Sequence, residues 1–332
     1  DEIVVVGYGS QKKVNMTGAV ASVDSKSLAS RPISNVSQGL QGLAPGVTVT
    51  NAGGQPGNDT GKILIRGLGS FNVSSPMVLI DGVEGDMNVV DPNDIESISV
   101  LKDASSAAIY GSKAANGVIL ITTKRGSNSK PRLTYNALFG WSKPAELMKR
   151  TSSAELAQLT NEAEYWEAIS QGASEEQAEK RKPYTAEDIR KYADGSDPYG
   201  HPNTDWYDLF YVGSGFMNRH NIGMDGGSDM AKYRASLGYV KQEGIVKNIS
   251  NRQFNVRTNL DLKLTERLKS RINIDFANTL MKEPTDPISW SNGASHQVFR
   301  QVNRISPMVP YKYEDGTYGT ISDGNPIAFQ DL

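Results

Sequence analysis

Three histidines, His201, His220 and His296, stand in unrelated segments with no His/Asp/Glu spacing typical of a metal-binding helix. They read as surface or lumen residues, and no metal or cofactor is expected. Two carboxylate pairs, Glu84/Asp86 and Asp91/Asp94, invite comparison with a glycosidase. That chemistry needs two carboxyls facing across a cleft at a fixed separation. In loop sequence, Asp more commonly serves turns and caps through local hydrogen bonds. The loop GGQPGNDTGK (53–62) resembles a phosphate loop only on the surface. The glycine required five positions before Gly61 is Pro56, and Ile63 follows Lys62 where Ser or Thr belongs. GYGSQK near the start lacks a third glycine and a preceding strand. No Gly-x-Ser-x-Gly elbow is present. No catalytic residue is expected, and the chain does not read as an enzyme.

The elements that could hold a site say more. The chain has 332 residues, a formal charge of −2, no cysteine and a mean hydropathy of −0.45. Near-neutral charge gives no nucleic-acid footprint, and the lack of cysteine excludes disulfides and thiolate metal sites. No apolar run reaches the roughly 18 residues of a membrane helix. β-barrel strands remain open, because they alternate and average out as polar. No leader is legible at Asp1, so a processed or cut start is expected.

Residues 76–126 organise the rest: PMVLIDGVEGDMNVVDPNDIESISVLKDASSAAIYGSKAANGVILITTKRG. Met77 to Ile80 is an apolar strand closed by the Asp81-Gly82 turn. Ile98 and Val100 alternate with Ser97 and Ser99, predicting a strand with one buried face. Asp103 is placed to cap a helix from Ala104 to Tyr110, with Gly111 ending it at positive φ. Val118 to Thr123 is a further β run. Upstream, Ser34 or Asn35 starts a helix over Val36 to Leu43, and strands are expected at Val47 to Thr50 and Ile63 to Arg66.

Beyond Gly126 the pattern has period two. Leu133, Tyr135, Ala137, Phe139 and Trp141 share one face, and Thr134, Asn136 and Ser142 the other. It returns at His220, Ile222 and Met224, at Tyr233 to Tyr239, and at Phe254 to Leu264. It is cleanest where Leu268, Ile272, Ile274 and Phe276 alternate with Lys269, Arg271, Asn273 and Asp275. Short turns at GGSDM and Thr265-Glu266-Arg267 alternate with long connections at 143–217, 242–252 and 281–332. That rhythm is the one outer-membrane barrels show. A soluble antiparallel sandwich also alternates, but with its apolar faces inside. Ser153 to Lys182 reads as a solvated helical hairpin, with Leu156, Leu159 and Trp166 near helical spacing and a second helix starting at Thr185.

The pieces VLIDGV (78–83), DIESISVLKDASSAAIYGSKAANGVILITTKRG (94–126), IRG (65–67) and DEIVVVGYGSQKK (1–13) closely resemble TonB-dependent outer-membrane receptors. The flavour is that of the SusC/RagA branch, which imports glycans or peptides. The expected fold is an α/β plug domain, a small mixed sheet with short helices, followed by antiparallel transmembrane β-barrel strands. Five strands cannot close a barrel, so the barrel is incomplete in this chain. The expected division is 1–12 as TonB box and linker, 13–127 as plug, and 128–332 as the first barrel strands with long extracellular loops.

The resemblance implies a protein of the bacterial outer membrane, in contact with its lipid, with plug and N-terminus facing the periplasm. Asp1, Glu2, Ile3, Val4, Val5 and Val6 would dock to TonB, energised by ExbB/ExbD. The β-prone segment suits strand addition, and the alternative is a first strand of the plug. A SusD-like surface lipoprotein and a glycan or peptide ligand are the other implied partners. Phe71 and Asn72 are candidate ligand contacts. Arg66, Asp81, Gly82, Asp103 and Gly111 are structural candidates, Arg66 through pairing with Asp81 or Glu96 or by facing the barrel wall. Trp206 and Tyr207 could stack on sugars, and Trp141 fits an interfacial girdle. The rival is a soluble plug-bearing binding or regulatory fragment without transport activity.

Overall fold

The computed structural model describes residues 3–6, 9–12, 20–29, 31–51, 53–65, 67, 75–103, 107–283, 294–320 and 324–331. They fall into two compact units. The first comprises Asp1–Trp141, Phe216–Gly244 and Ser250–Met281. Its centre is a five-stranded mixed sheet built from β3 (Val20–Asp24), β6 (Met77–Ile80), β7 (Val83–Glu84), β8 (Ile95–Leu101) and β9 (Val118–Thr123), after β1 (Ile3–Val6) and β2 (Gly9–Lys12). The strand order is β3-β8-β9-β6-β7, with β6 parallel to β9 and the other neighbours antiparallel. β4 (Val47–Asn51) and β5 (Gly61–Ile65) pair as a separate antiparallel hairpin.

Both faces of this sheet are covered. Ile98, Val100, Ile119 and Ile121 pack with Leu28, Val36, Leu40, Val49 and Ile63 on one side. Leu101, Val118 and Leu120 pack with Leu79, Ala107 and Ala114 on the other. β8 therefore departs from the expected single buried face. It lies between β3 and β9, and Ser99 is buried with its apolar neighbours.

Some local details differ as well. The helix at Val36 stops at Gly39, capped by Asn35, whose side chain accepts from the Gln38 N–H. Gly42 and Gly46 then take φ of 73° and 75°, which ends the helical path. After Asp103 the described residues resume at Ala107, whose N–H donates to the Asp103 carbonyl at helical spacing, and two 3₁₀ turns follow, Ala108–Tyr110 and Ser112–Asn116, with Gly111 at φ 75° between them. Among the described residues β1 pairs with β2, in register Ile3 to Lys12, as a two-stranded sheet separate from the plug sheet.

The same unit carries a second sheet, the antiparallel wall β10 (Arg132–Ser142), β11 (Gly215–Gly227), β12 (Ala231–Glu243), β13 (Ser250–Lys263) and β14 (Lys269–Lys282), in that order. These are the five strands the periodicity predicts, extended by several residues. The sheet is open, with β10 and β14 at its edges.

The second unit gathers Ser142–Gly215, Ile245–Ile249 and Lys282–Leu332. Three connections of the wall thus share one core, in which Trp206, Phe210, Val246, Ile249, Val298, Val302 and Ile305 are buried together. The stretch from Ser153 is more than a solvated hairpin. Helix Ser153–Ser170 begins in a Ser152/Glu155 capping box. It buries Ala157, Asn161 and Ala168 against Glu175–Glu179 and Ala186–Asp194, while Leu159 and Trp166 stay exposed. Small residues let those short helices approach, and the Asn161 amide satisfies the Tyr184 main chain on both sides at 2.7 and 3.0 Å. Arg150 donates to the Val302 and Ile305 carbonyls where helix Ala294–Arg304 ends, a favoured place for a cation.

Candidate functional site

Along the wall, successive side chains point to opposite faces, and the two faces differ sharply. One face of β11 to β13 places Arg219, Asn221, Asp225, Arg234, Ser236, Gln242, Asn251, Asn255, Arg257 and Asn259 in buried positions. The other leaves Ile222, Met224, Leu237, Tyr239 and Phe254 exposed, together with Leu133, Tyr135, Phe139 and Trp141 of β10 and Ile272, Ile274 and Phe276 of β14. A water-soluble sheet would bury the second set. Here the polar face is the buried one, because it packs against the plug.

The seam between plug and wall is built from charged and amide contacts. Asp94 ends a 3₁₀ turn started by Asp91 and Pro92. Its carboxylate accepts from Arg234 at 3.2 Å and from Ser236 Oγ at 2.7 Å. Arg234 also reaches Asp225 at 3.5 Å. Asp81 sits at φ 50° in the turn after β6, beside Gly82 at φ 93°. It accepts from the Thr123 N–H at 3.0 Å and Thr123 Oγ1 at 2.5 Å, and pairs with Arg257 at 3.3 Å. Arg257 in turn pairs with Asp275 of β14 at 2.8 Å. Asn259 donates to Thr123 Oγ1 and the Lys124 carbonyl, both at 2.8 Å. Arg219 donates to the Ser34 carbonyl at 3.0 Å.

Glycines set how closely the two surfaces approach. A Cβ at Gly238 would lie 3.0 Å from Asp91 Oδ2, so β12 carries no side chain where that carboxylate enters. A Cβ at Gly126, where the chain leaves the plug, would lie 2.4 Å from the Tyr233 backbone. Burial pushes the Asp91 carboxyl up from its ordinary value, against the pull of Arg219. Burial likewise draws the Lys124 ammonium down, although its Nζ donates to the Asn93 carbonyl at 2.8 Å. Asp91 Oδ2, Arg219 Nε, Asn221 Oδ1, Arg234 Nε and Asn259 Oδ1 are buried without a partner among the described residues. Left dry, such atoms cost roughly 1–3 kcal/mol each, so the seam favours water or a polar ligand.

The remaining sequence candidates are placed as follows. Arg66, Phe71 and Asn72 lie outside the described residues, as do Asp1 and Glu2. Among the described residues the cationic partner of Asp81 is Arg257. Asp86 and Asp91 cap 3₁₀ turns, accepting from the Asn88 and Asn93 N–H groups at 2.8 Å each, and Glu84 forms an exposed pair with Lys113. Asp103 accepts the Ala107 N–H through its carbonyl at 3.0 Å. Trp206 is not available for sugar stacking, since it is buried with its indole N–H on the Ser306 carbonyl. Tyr207 lies half-buried beneath Arg150 in an open hollow of about 880 Å³. His220 shares the outward face and bonds Tyr135 Oη at 2.8 Å. His201 stands between Asp197 at 2.8 Å and Asp188 at 3.1 Å. No group of three or more His, Cys, Asp or Glu suited to a metal ion occurs among the described residues.

Sequence reasoning missed Arg234, Ser236, Arg257 and Asn259 as a set. The only signal was polar residues at alternate positions of otherwise apolar strands.

A mixed-sheet globule seated against the polar face of an antiparallel strand wall is the plug-and-barrel arrangement of TonB-dependent receptors. Residues 12–118 match the TonB-dependent receptor plug domain. TonB-dependent receptor P26 of Formosa agariphila is 37% identical over 91% of this chain and 30% of that receptor. SusC of Bacteroides thetaiotaomicron is 36% identical over 84% of this chain and 26% of its own length. A solved structure of the RagAB peptide importer in its open-open state superposes with a TM-score of 0.72 at 29% identity, over 89% of this chain and 34% of that one. The chain belongs to the SusC/RagA branch of the TonB-dependent receptors. It spans about a third or less of the length of these relatives.

Proposed function

We propose that this chain supplies the plug and the first wall strands of an outer-membrane importer, which takes up oligosaccharides or peptides with energy delivered through TonB. The observation that carries this reading is the inverted wall, with charged and amide side chains buried against the plug and aromatic and aliphatic ones exposed. Such a sheet is stable where hydrocarbon covers its outer face. The polar seam also suits a plug that must be displaced. Its contacts are individually strong, yet each group can exchange its partner for water as the plug moves.

In this reading Ile3–Val6 faces the periplasm and is gripped by TonB, driven by ExbB/ExbD. A strand-added segment resists a pull along its length through its row of main-chain hydrogen bonds. The second unit lies outside the cell, where a SusD-like lipoprotein would cover the entrance. The solved relative named a peptide importer favours peptides as cargo. The test has two parts. The mass of the protein extracted from outer membranes should lie far above 36.1 kDa. A product near that mass in the soluble fraction would instead support a stand-alone plug-bearing fragment. Val4→Pro should abolish uptake while ligand binding stays intact. Normal uptake by that variant would remove the TonB-box assignment.

A further inference from the structure

At one end of the seam a cavity of about 110 Å³ lies between plug loops and strands β12 and β13. We infer that this cavity is a subsite for a primary ammonium group of the imported ligand, an assignment that rests on the import reading above. The residues that matter are Ser34, Asn35, Asp59, Asp86, Gln242 and Asn251. Ser34, Asn35 and Gln242 each turn a donor to Asp59. Ser34 Oγ and Gln242 Nε2 donate to Asp59 Oδ2 at 2.5 and 3.4 Å, and Asn35 Nδ2 donates to Asp59 Oδ1 at 3.0 Å. Gln253 Nε2 is likewise turned to the Asn88 carbonyl at 3.2 Å.

Unused acceptor capacity faces the cavity. Asn251 is 7% exposed, and its Oδ1 is buried with no partner among the described residues. Asp59 is 4% exposed and is held by neutral donors only. Asp86 adds a second carboxylate at the rim, and no Lys, Arg or His lines the cavity among the described residues. A buried carboxylate without a cation gains from the arrival of positive charge. An ammonium is compact, offers three donors and has no acceptor to leave unsatisfied. A neutral hydroxyl would leave the Asp59 carboxylate without a counter-charge. The volume takes a small head group, a few times the roughly 30 Å³ share of a water molecule, and not a whole sugar ring. Gly57, at φ 82° and with its Cβ position 3.1 Å from the Asn251 side chain, keeps the cavity wall in place.

The ammonium can come from a peptide, at its N-terminus or a lysine, or from an amino sugar. The full-length receptor, purified from outer membranes, is incubated with a tryptic casein digest and with the same digest acetylated at every amine. In parallel it receives glucosamine oligomers and their N-acetylated forms, and bound material is identified by mass spectrometry. Preference for the free amine of at least about tenfold is expected in one arm, as for a charged hydrogen bond, and that arm names the source. Asp59→Asn and Asn251→Leu should each reduce the preference to about twofold or less. Equal capture of free and acetylated forms overturns the assignment, as does no capture of any amine-bearing probe or unchanged preference in both variants. Failure of the import reading shows separately, as absence of the receptor from the outer-membrane fraction.

Discussion

The plug sheet and the strand wall bury their strands in different ways. In β9, Ile119 and Ile121 enter one apolar cluster while Val118 and Leu120 enter another, so both faces are dry. In β12, Arg234, Ser236 and Gln242 are buried while Leu237 and Tyr239 are exposed. The plug sheet follows the ordinary rule of a water-soluble domain, whereas the wall buries its polar side chains. The contrast teaches that alternation alone does not say which face is inside. That depends on what lies against each face: helices and hairpins for the plug, and for the wall the plug on one side and, in the importer proposed above, hydrocarbon on the other.

This contrast can be broken at several points. The largest effect is expected at the seam. Arg234→Ala leaves Asp94 and Asp225 without their shared cation, and breaking a buried pair costs about 3–5 kcal/mol. Protease resistance of the plug should fall accordingly in denaturant. An unchanged profile would mean that the seam does not hold the plug.

Next comes the plug core. Ile119→Ala should cost about 2–5 kcal/mol through lost burial and the cavity left behind, read as a lower urea midpoint for plug unfolding. Third is the outward face. Phe276→Arg should cost about 2–4 kcal/mol of barrel stability if that position lies near the bilayer midplane. The readout is the temperature at which the folded form is lost on gels run without boiling. A neutral effect would make the wall an ordinary soluble sheet and erase the contrast.

The smallest effect sits in the second unit. His201 faces a carboxylate on each ring nitrogen, and the Asp197 hydrogen bond first, then that of Asp188, raises its pKa above 6.5. The Thr185 hydroxyl and backbone N–H, with His201, pull Asp188 down to about 2. Because the folded pKa of His201 is raised, its contribution is fully present below about pH 6.5. It is lost as pH rises through the folded value. Lys191 opposes the charge, and the Tyr192 ring packs at 4.9 Å. Titration of the His201 ring by NMR should give a midpoint above 6.5, and His201→Gln should flatten the pH dependence of local stability.

Much of the fold was legible from local pattern. The five wall strands followed from period two, because lipid or a protein surface on each side demands it. The Asp81-Gly82 turn and the positive-φ glycines followed from steric limits that act within a few residues. The 3₁₀ turns Ala108–Tyr110 and Ser112–Asn116 were not legible, since the packing of Ala107 and Ala114 under the sheet involves residues distant in sequence. The buried set Asp94, Arg234, Ser236 and Arg257 was not legible. Asp94 lies 140 and 142 residues from Arg234 and Ser236, and Arg257 lies 176 from its partner Asp81, and nothing local distinguishes them from surface charges.

The sequence by itself determined the plug motif and the period-two alternation of the wall strands, because each is a property of neighbours along the chain. Only the tertiary structure decided that the polar face of the wall is buried and that Asp81 and Asp94 meet arginines from distant strands. It also decided that three wall connections share the core around Trp206. Those outcomes depend on which surfaces exclude water together, and that is settled when distant segments pack.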